Sequence, residues 1–160
     1  MPYFRLLVTA AAVIALAGCA TRRAPVSVAD TLAATPQLST LSGLVSQAGL
    51  TEMLQGSGPF TVFAPSNEAF AKVPAKTMET LAANPQQLKA VLAYHVIPAR
   101  LMAADVKNGN FKTANGASLA LSKAGDFVTV EDAMVQRADI AASNGVVQMI
   151  DSVLIPPATP

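Results

Sequence analysis

The chain has 160 residues, room for one domain, with 52% hydrophobic and 13% charged residues and a formal charge of +1. No basic patch or stripe is visible, which argues against nucleic acid as a partner. A single cysteine leaves no possibility of an internal disulfide, so the fold must rest on packing.

The first eighteen residues stand apart. Arg5 precedes an apolar run, Leu6 to Ala17, that ends in "LAGC". This is the layout of a secretory signal, and the run is too short to span a bilayer. Cys19 follows Leu16, Ala17 and Gly18, a placement that resembles the bacterial lipoprotein box. That resemblance implies a lipidated Cys19 thiol, removal of residues 1–18 as a signal peptide and an acylated new amino terminus. Ala20, where retained lipoproteins carry Asp, implies passage to the outer membrane. The plainer alternative is an unused thiol beside an ordinary cleavage site. Two or three acyl chains hold a protein to a membrane stably, at about 0.8 kcal/mol per buried methylene. Removing 1–18 leaves ten basic and ten acidic side chains. The remaining 142 residues can bury roughly two thirds of their unfolded surface.

Residues 19–29, short and polar with Arg22, Arg23 and Pro25, read as a tether, residues 30–157 as the domain and 158–160 as a frayed tail. Leu38, Leu41, Leu44, Val45 and Ala48 recur at helical spacing, and Gly49 follows as a stop. A short helix, Thr51 to Leu54, comes next. In "GPFTVFAPSNEAF" a buried strand, Phe60 to Ala64, runs into a helix capped by Ser66. "PAKTMETLAAN" predicts a helix with Thr77 as N-cap. "PQQLKAVLAYHVIP" predicts another with Pro85 at its first position and Pro98 beyond its end.

The second half reads as strands. Asn115-Gly116 between "NFKTA" and "ASLALSK" predicts a hairpin with a type I′ turn, which needs φ > 0 at both central residues. "DFVTVED" and "AMVQRA" continue the pattern, and Asn144-Gly145 turns the chain into "VVQMIDSVLIP". That nearly continuous apolar run suits a strand buried on both faces, pairing with Phe60–Ala64. The plan is α+β, with helices early and a sheet built late.

Four blocks in this order resemble the fasciclin domain: "LSTLSGLVSQAGL", "GPFTVFAPSNEAF", "LKAVLAYHVIP" with its Tyr-His pair, and "SNGVVQMIDSVLIP". The likeness spans about Asp30 to Pro156. It implies a fasciclin-like β-sandwich or wedge with helices packed against one side, a role in adhesion, and no cofactor or metal. The partner it implies is a protein or polysaccharide of the envelope or extracellular matrix.

The resemblance also implies candidate contacts. Tyr94 and His95 match the family's Tyr-His pair, which is implicated in receptor binding. On a helical wheel, however, His95 falls with Leu88, Val91 and Leu92 at the centre of the apolar face. The alternative is therefore a buried neutral imidazole bonded to backbone, with Tyr94 at the edge and its hydroxyl within reach of solvent. Asp139 and Ile140 match an Asp-Ile element that some animal members use for integrin binding. The alternative is an Asp139 that accepts backbone bonds in its own turn. Asp151, inside the last apolar run, needs hydrogen-bond donors if buried.

Catalysis finds little footing. There is one His, no GxSxG elbow and no glycine-rich phosphate loop, and lipidation would turn the only thiol into a thioether. His95 alone cannot begin a zinc cluster. The expectation is a non-enzyme: a lipid-anchored envelope module that binds through its surface. The second reading is a periplasmic lipoprotein holding a small apolar or glycan ligand in a cleft, and the third is a lipid-anchored hydrolase.

Overall fold

The structure, a computed structural model, describes residues 26–157. The signal segment, Cys19 and the tail 158–160 lie outside the described residues. The packed body starts earlier than Asp30. Ser27 and Asp30 form a reciprocal capping box, and helix α1 (Val28–Ala34) buries Val28 and Ala29, both assigned to the tether by sequence. A 3₁₀ turn (Pro36–Leu38) leads into α2 (Ser39–Gln47), which ends before Gly49 at φ +68°. Helix α3 (Thr51–Gln55) precedes strand β1 (Phe60–Pro65). The Ser66 hydroxyl then accepts from the Ala69 amide and opens α4 (Asn67–Ala71), the strand-to-helix corner expected there.

Helix α5 (Ala75–Ala83) starts at Pro74, so Thr77 lies within its first turn and caps nothing. The fixed φ of Pro74 presets the helix entry and displaces the hydroxyl cap that the sequence suggested. Helix α6 (Pro85–Tyr94) is capped by Asn84, whose side chain accepts from the Gln87 amide, with Pro85 at the first position.

The strands β2 (Val96–Ile97), β3 (Gly109–Lys112), β4 (Ser118–Ala124), β5 (Phe127–Val130), β6 (Ala133–Ala142) and β7 (Gly145–Ile150) join β1 in the order β2-β1-β7-β6-β5-β4-β3. Only β1 and β7 run parallel, with Val62 opposite Val147. The ten-residue β6 pairs with β5 near its start and with β7 for most of its length, bending at two irregularities on the way. Past β3, the Ala114 amide donates to the Val96 carbonyl of β2 at 2.8 Å, so the two ends of the sheet approach each other. The result is the expected wedge with helices on one side.

Alternation along β1 and β7 divides the interior. Val62, Ala64, Val147 and Met149 face the helices, against Leu32, Leu41, Leu88 and Leu92. Phe63 and Ile150 face the other half of the sheet, against Leu119, Leu121, Val128 and Val130. Every residue of β7 is buried, Gln148 included, as its nearly continuous apolar run predicted.

The type I′ hairpin does not form. β3 and β4 are joined by the five residues 113–117, and of Asn115 and Gly116 only the glycine has positive φ, +89°. Asn144-Gly145 is the tighter device. A Cβ on Gly145 would run into the Phe60 carbonyl, so β1 and β7 can close up here only over glycine. The Asn144 side chain accepts from the Val28 amide at 2.8 Å. It also donates to the Leu54 and Gly56 carbonyls, each at 2.7 Å. One residue thus ties the β6–β7 turn to α1 and α3.

Candidate binding surface

His95 ends α6 and is buried, 2% exposed. Its Nδ1 lies 2.7 Å from the Val91 carbonyl, which can only accept, so Nδ1 carries the proton. Its Nε2 accepts from the Leu154 amide at 3.0 Å. Its own carbonyl accepts from the Phe63 amide of β1. Burial lowers the imidazole to a pKa of about 4, only partly opposed by the Val91 carbonyl, so the ring is neutral at physiological pH. With both nitrogens engaged, the ring ties α6 to the C-terminal segment and has no lone pair free for acid–base work.

Tyr94 is buried rather than set at an edge. Its hydroxyl lies 3.2 Å from the Ser118 carbonyl and 3.3 Å from Glu131 Oε1, so its proton serves one of these acceptors at a time. Burial raises the phenol's pKa, and the charge and hydrogen bond of Glu131 raise it further. Glu131, at φ +53°, also accepts from the Ala120 amide at 2.9 Å.

Tyr94 lines a cleft of about 420 Å³, bordered also by Glu131, Asp132, Ser152 and Ile155. Across the C-terminal segment lies a second, uncharged groove of about 830 Å³, between Leu81, Ala90 and Val91 on one side and Asn115, Ala117 and Ile155 on the other. His95 holds that segment through Leu154, and the next residue, Ile155, is 63% exposed.

Asp139 and Ile140 lie within β6, where the sequence suggested a loop. The irregularity between Arg137 and Ile140 puts Asp139 at φ +56°. Its Oδ1 accepts from the Ala103 amide at 2.8 Å, so the carboxylate serves a distant loop instead of its own turn. Two neighbouring strands hold the same loop. The Thr61 hydroxyl donates to the Ala99 carbonyl and accepts from the Leu101 amide, and the Gln148 amide donates to the Leu101 carbonyl. Ile140 packs half-buried beside the helical core, opposite Val147.

The two pairs do not meet. Val96, Val62, Val147 and Ile140 form one row across four adjacent strands. At about 4.8 Å per strand, the row separates the pairs by roughly 14 Å. Asp151 finds its donor in the Met134 amide at 2.9 Å. Among the described residues, no group of three or more His, Cys, Asp or Glu is placed to hold a metal ion, and no helix is long and apolar enough to cross a membrane.

Thr61, Gln148 and Glu131 go unmarked in the sequence, where Asn144 figures only as a turn residue. A signal existed for two of them. Thr61 and Gln148 are polar interruptions in runs expected to be buried, and buried polar side chains need partners.

The pattern of the Fasciclin domain matches residues 36–156. Protein sll1483 of Synechocystis sp. is 41% identical over 133 residues, which cover 82% of this chain and 74% of that protein. Cell surface glycolipoprotein MPB83 of Mycobacterium bovis is 38% identical over 128 residues, 77% of this chain and 57% of its own length. The solved FAS1 domain pair of the insect cell adhesion molecule fasciclin I superposes with a TM-score of 0.64 at 17% identity, over 81% of this chain and 50% of that one. A family pattern covering most of the chain, relatives near 40% identity and the same fold agree: the chain belongs to the Fasciclin domain family.

Proposed function

We propose that this chain is an exported, lipid-anchored module of the bacterial envelope that binds a protein or polysaccharide through the surface flanking its C-terminal segment. Adhesion and binding are the family's general business, and MPB83, itself named a cell surface glycolipoprotein, supports an envelope setting. The "LAGC" box at Cys19 supports lipid attachment, and Ala20 supports an outer-membrane destination. From Cys19 to Ser27 the chain reaches at most roughly 30 Å, which keeps the domain beside its membrane and raises its effective concentration for neighbours.

The observation that carries the choice of surface is the His95–Leu154 bond. Tyr94 and His95 are too buried to touch a partner, yet His95 holds in place the segment that separates the two clefts and Tyr94 bonds Ser118 and Glu131 at the border of one of them. In this reading both candidate pairs are supports: His95 for the C-terminal segment, Tyr94 for Ser118 and Glu131, Asp139 for the loop at 99–103 and Ile140 for the helical core. The partner meets Ile155 and its surroundings.

The test is capture of partners from envelope extracts by wild type and by Ile155→Asp, with thermal unfolding as control. The exposed substitution should leave the melting temperature in place while capture weakens about tenfold or more. Undiminished capture would move the contact elsewhere. The uncharged 830 Å³ groove also favours the second reading, a small apolar or glycan ligand. Thermal shifts across a lipid and glycan panel, lost in Ile155→Asp, would select that reading over a macromolecular partner.

A further inference from the structure

Three Asn-Gly pairs occur in the chain: Asn108-Gly109, Asn115-Gly116 and Asn144-Gly145. Each carries the same intrinsic reactivity. With no side chain on the glycine, its backbone nitrogen can approach the carbonyl carbon of the preceding Asn side chain. We propose that Asn115 is a site of spontaneous modification, converting to aspartate and isoaspartate in the folded protein, while the fold protects the other two.

In the step itself, the Gly116 nitrogen gives up its proton to solvent base and bonds to Asn115 Cγ. The Cγ–Nδ2 bond breaks, and Nδ2 leaves as ammonia. Water then opens the resulting cyclic imide at either carbonyl, giving aspartate or isoaspartate. No further reagent is consumed.

The structure ranks the three sites. Asn144 is fixed by one accepted and two donated bonds, and Gly145 is buried against β1, so attack there requires taking apart the strand pair. Asn108 accepts from the Lys123 amide at 2.6 Å, and Gly109 is paired with Leu121 in β3. Asn115 and Gly116 are both exposed in the 113–117 link, and among the described residues no hydrogen bond holds the Asn115 side chain. Only the turn bond from the Gly116 amide to the Thr113 carbonyl, 2.9 Å, must open, which is a local event in a surface loop.

The site lies where conversion matters. Asn115 lines the groove beside Gln87, Ala117 and Ile155, and none of the groove's lining residues is charged. Conversion places a carboxylate on that wall, so the groove would come to disfavour apolar and anionic ligands and favour cationic ones. At Asn144 the same change would set a carboxylate against the Leu54 and Gly56 carbonyls and loosen the core. The protected and the reactive pairs thus differ in consequence as well as in rate.

Incubating the full chain in warm, mildly alkaline buffer and mapping peptides by mass spectrometry tests this, with isoaspartyl-specific enzymatic labelling as a second readout. The Asn115 peptide should lose its amide and gain isoaspartate while the Asn144 peptide stays intact. In concentrated urea all three sites should react at similar rates, and Asn115→Gln should abolish the native-state signal. Native conversion at Asn144 as fast as at Asn115, or an intact Asn115 in folded protein whose unfolded form converts, would overturn the proposal.

Discussion

At His95, two backbone partners fix the tautomer, and burial fixes the charge. The folded-state pKa of about 4 lies below the ordinary 6.5, so between these values the unfolded chain binds the proton and the folded chain does not. Stability from this group is therefore complete above about pH 6.5, falls as pH drops through that window and levels off below about 4. At about 1.4 kcal/mol per pH unit, the loss is about 3 kcal/mol. His95→Leu should cost about 2 kcal/mol at neutral pH, where the buried Leu154 amide loses its acceptor. The gap between wild type and variant should then shrink on acidification, as measured by urea unfolding across a pH series. A gap independent of pH would contradict the buried, neutral ring. Asp139 separates a supporting role from a contact role in another way. Asn keeps both the acceptor and a tolerance for left-handed backbone, whereas Val keeps neither. Asp139→Asn should lie within about 0.5 kcal/mol of wild type, and Asp139→Val should lose more than about 2 kcal/mol. Equal losses in chemical denaturation would remove the supporting role.

Among the elements, the junction of β1 with β7 bears most of the architecture. Gly145→Ala drives a methyl into the Phe60 backbone and should cost more than about 3 kcal/mol. Gly116→Ala meets nothing and should cost only about 1 kcal/mol for its positive φ. Melting curves of the two variants check the ranking, and comparable losses would argue against the close strand approach. The same junction shows what sequence conveys and what it withholds. The apolar run Phe60–Ala64 and the nearly continuous one after Asn144-Gly145 disclosed two buried strands, and Ser66 disclosed the corner that follows. Asn-Gly did not disclose its turns. One local signature produced a strand lead-in at 108–109, part of a five-residue link at 115–116 and, at 144–145, the last residue of a tight turn and the first of β7. What separates them is contact with segments far along the chain, which a dipeptide cannot express. The loop at 99–103 was hidden for the same reason, since its three anchors, Thr61, Asp139 and Gln148, belong to three different strands. Their polarity within apolar stretches was visible, but their convergence on one loop was not.

For the molecule as a whole, two layers of core leave the outside and the clefts beside Ile155 as the surfaces available to a partner. A patch of that size gains force from confinement near a membrane, so the proposed role rests on what Cys19 carries. Metabolic labelling with a fatty-acid analogue, comparing the full-length chain with Cys19→Ala and following both into membrane and soluble fractions, tests this most directly. Labelled wild type is expected in the membrane fraction, with label and membrane association both lost in the variant. Unlabelled wild type in the soluble fraction would contradict that role.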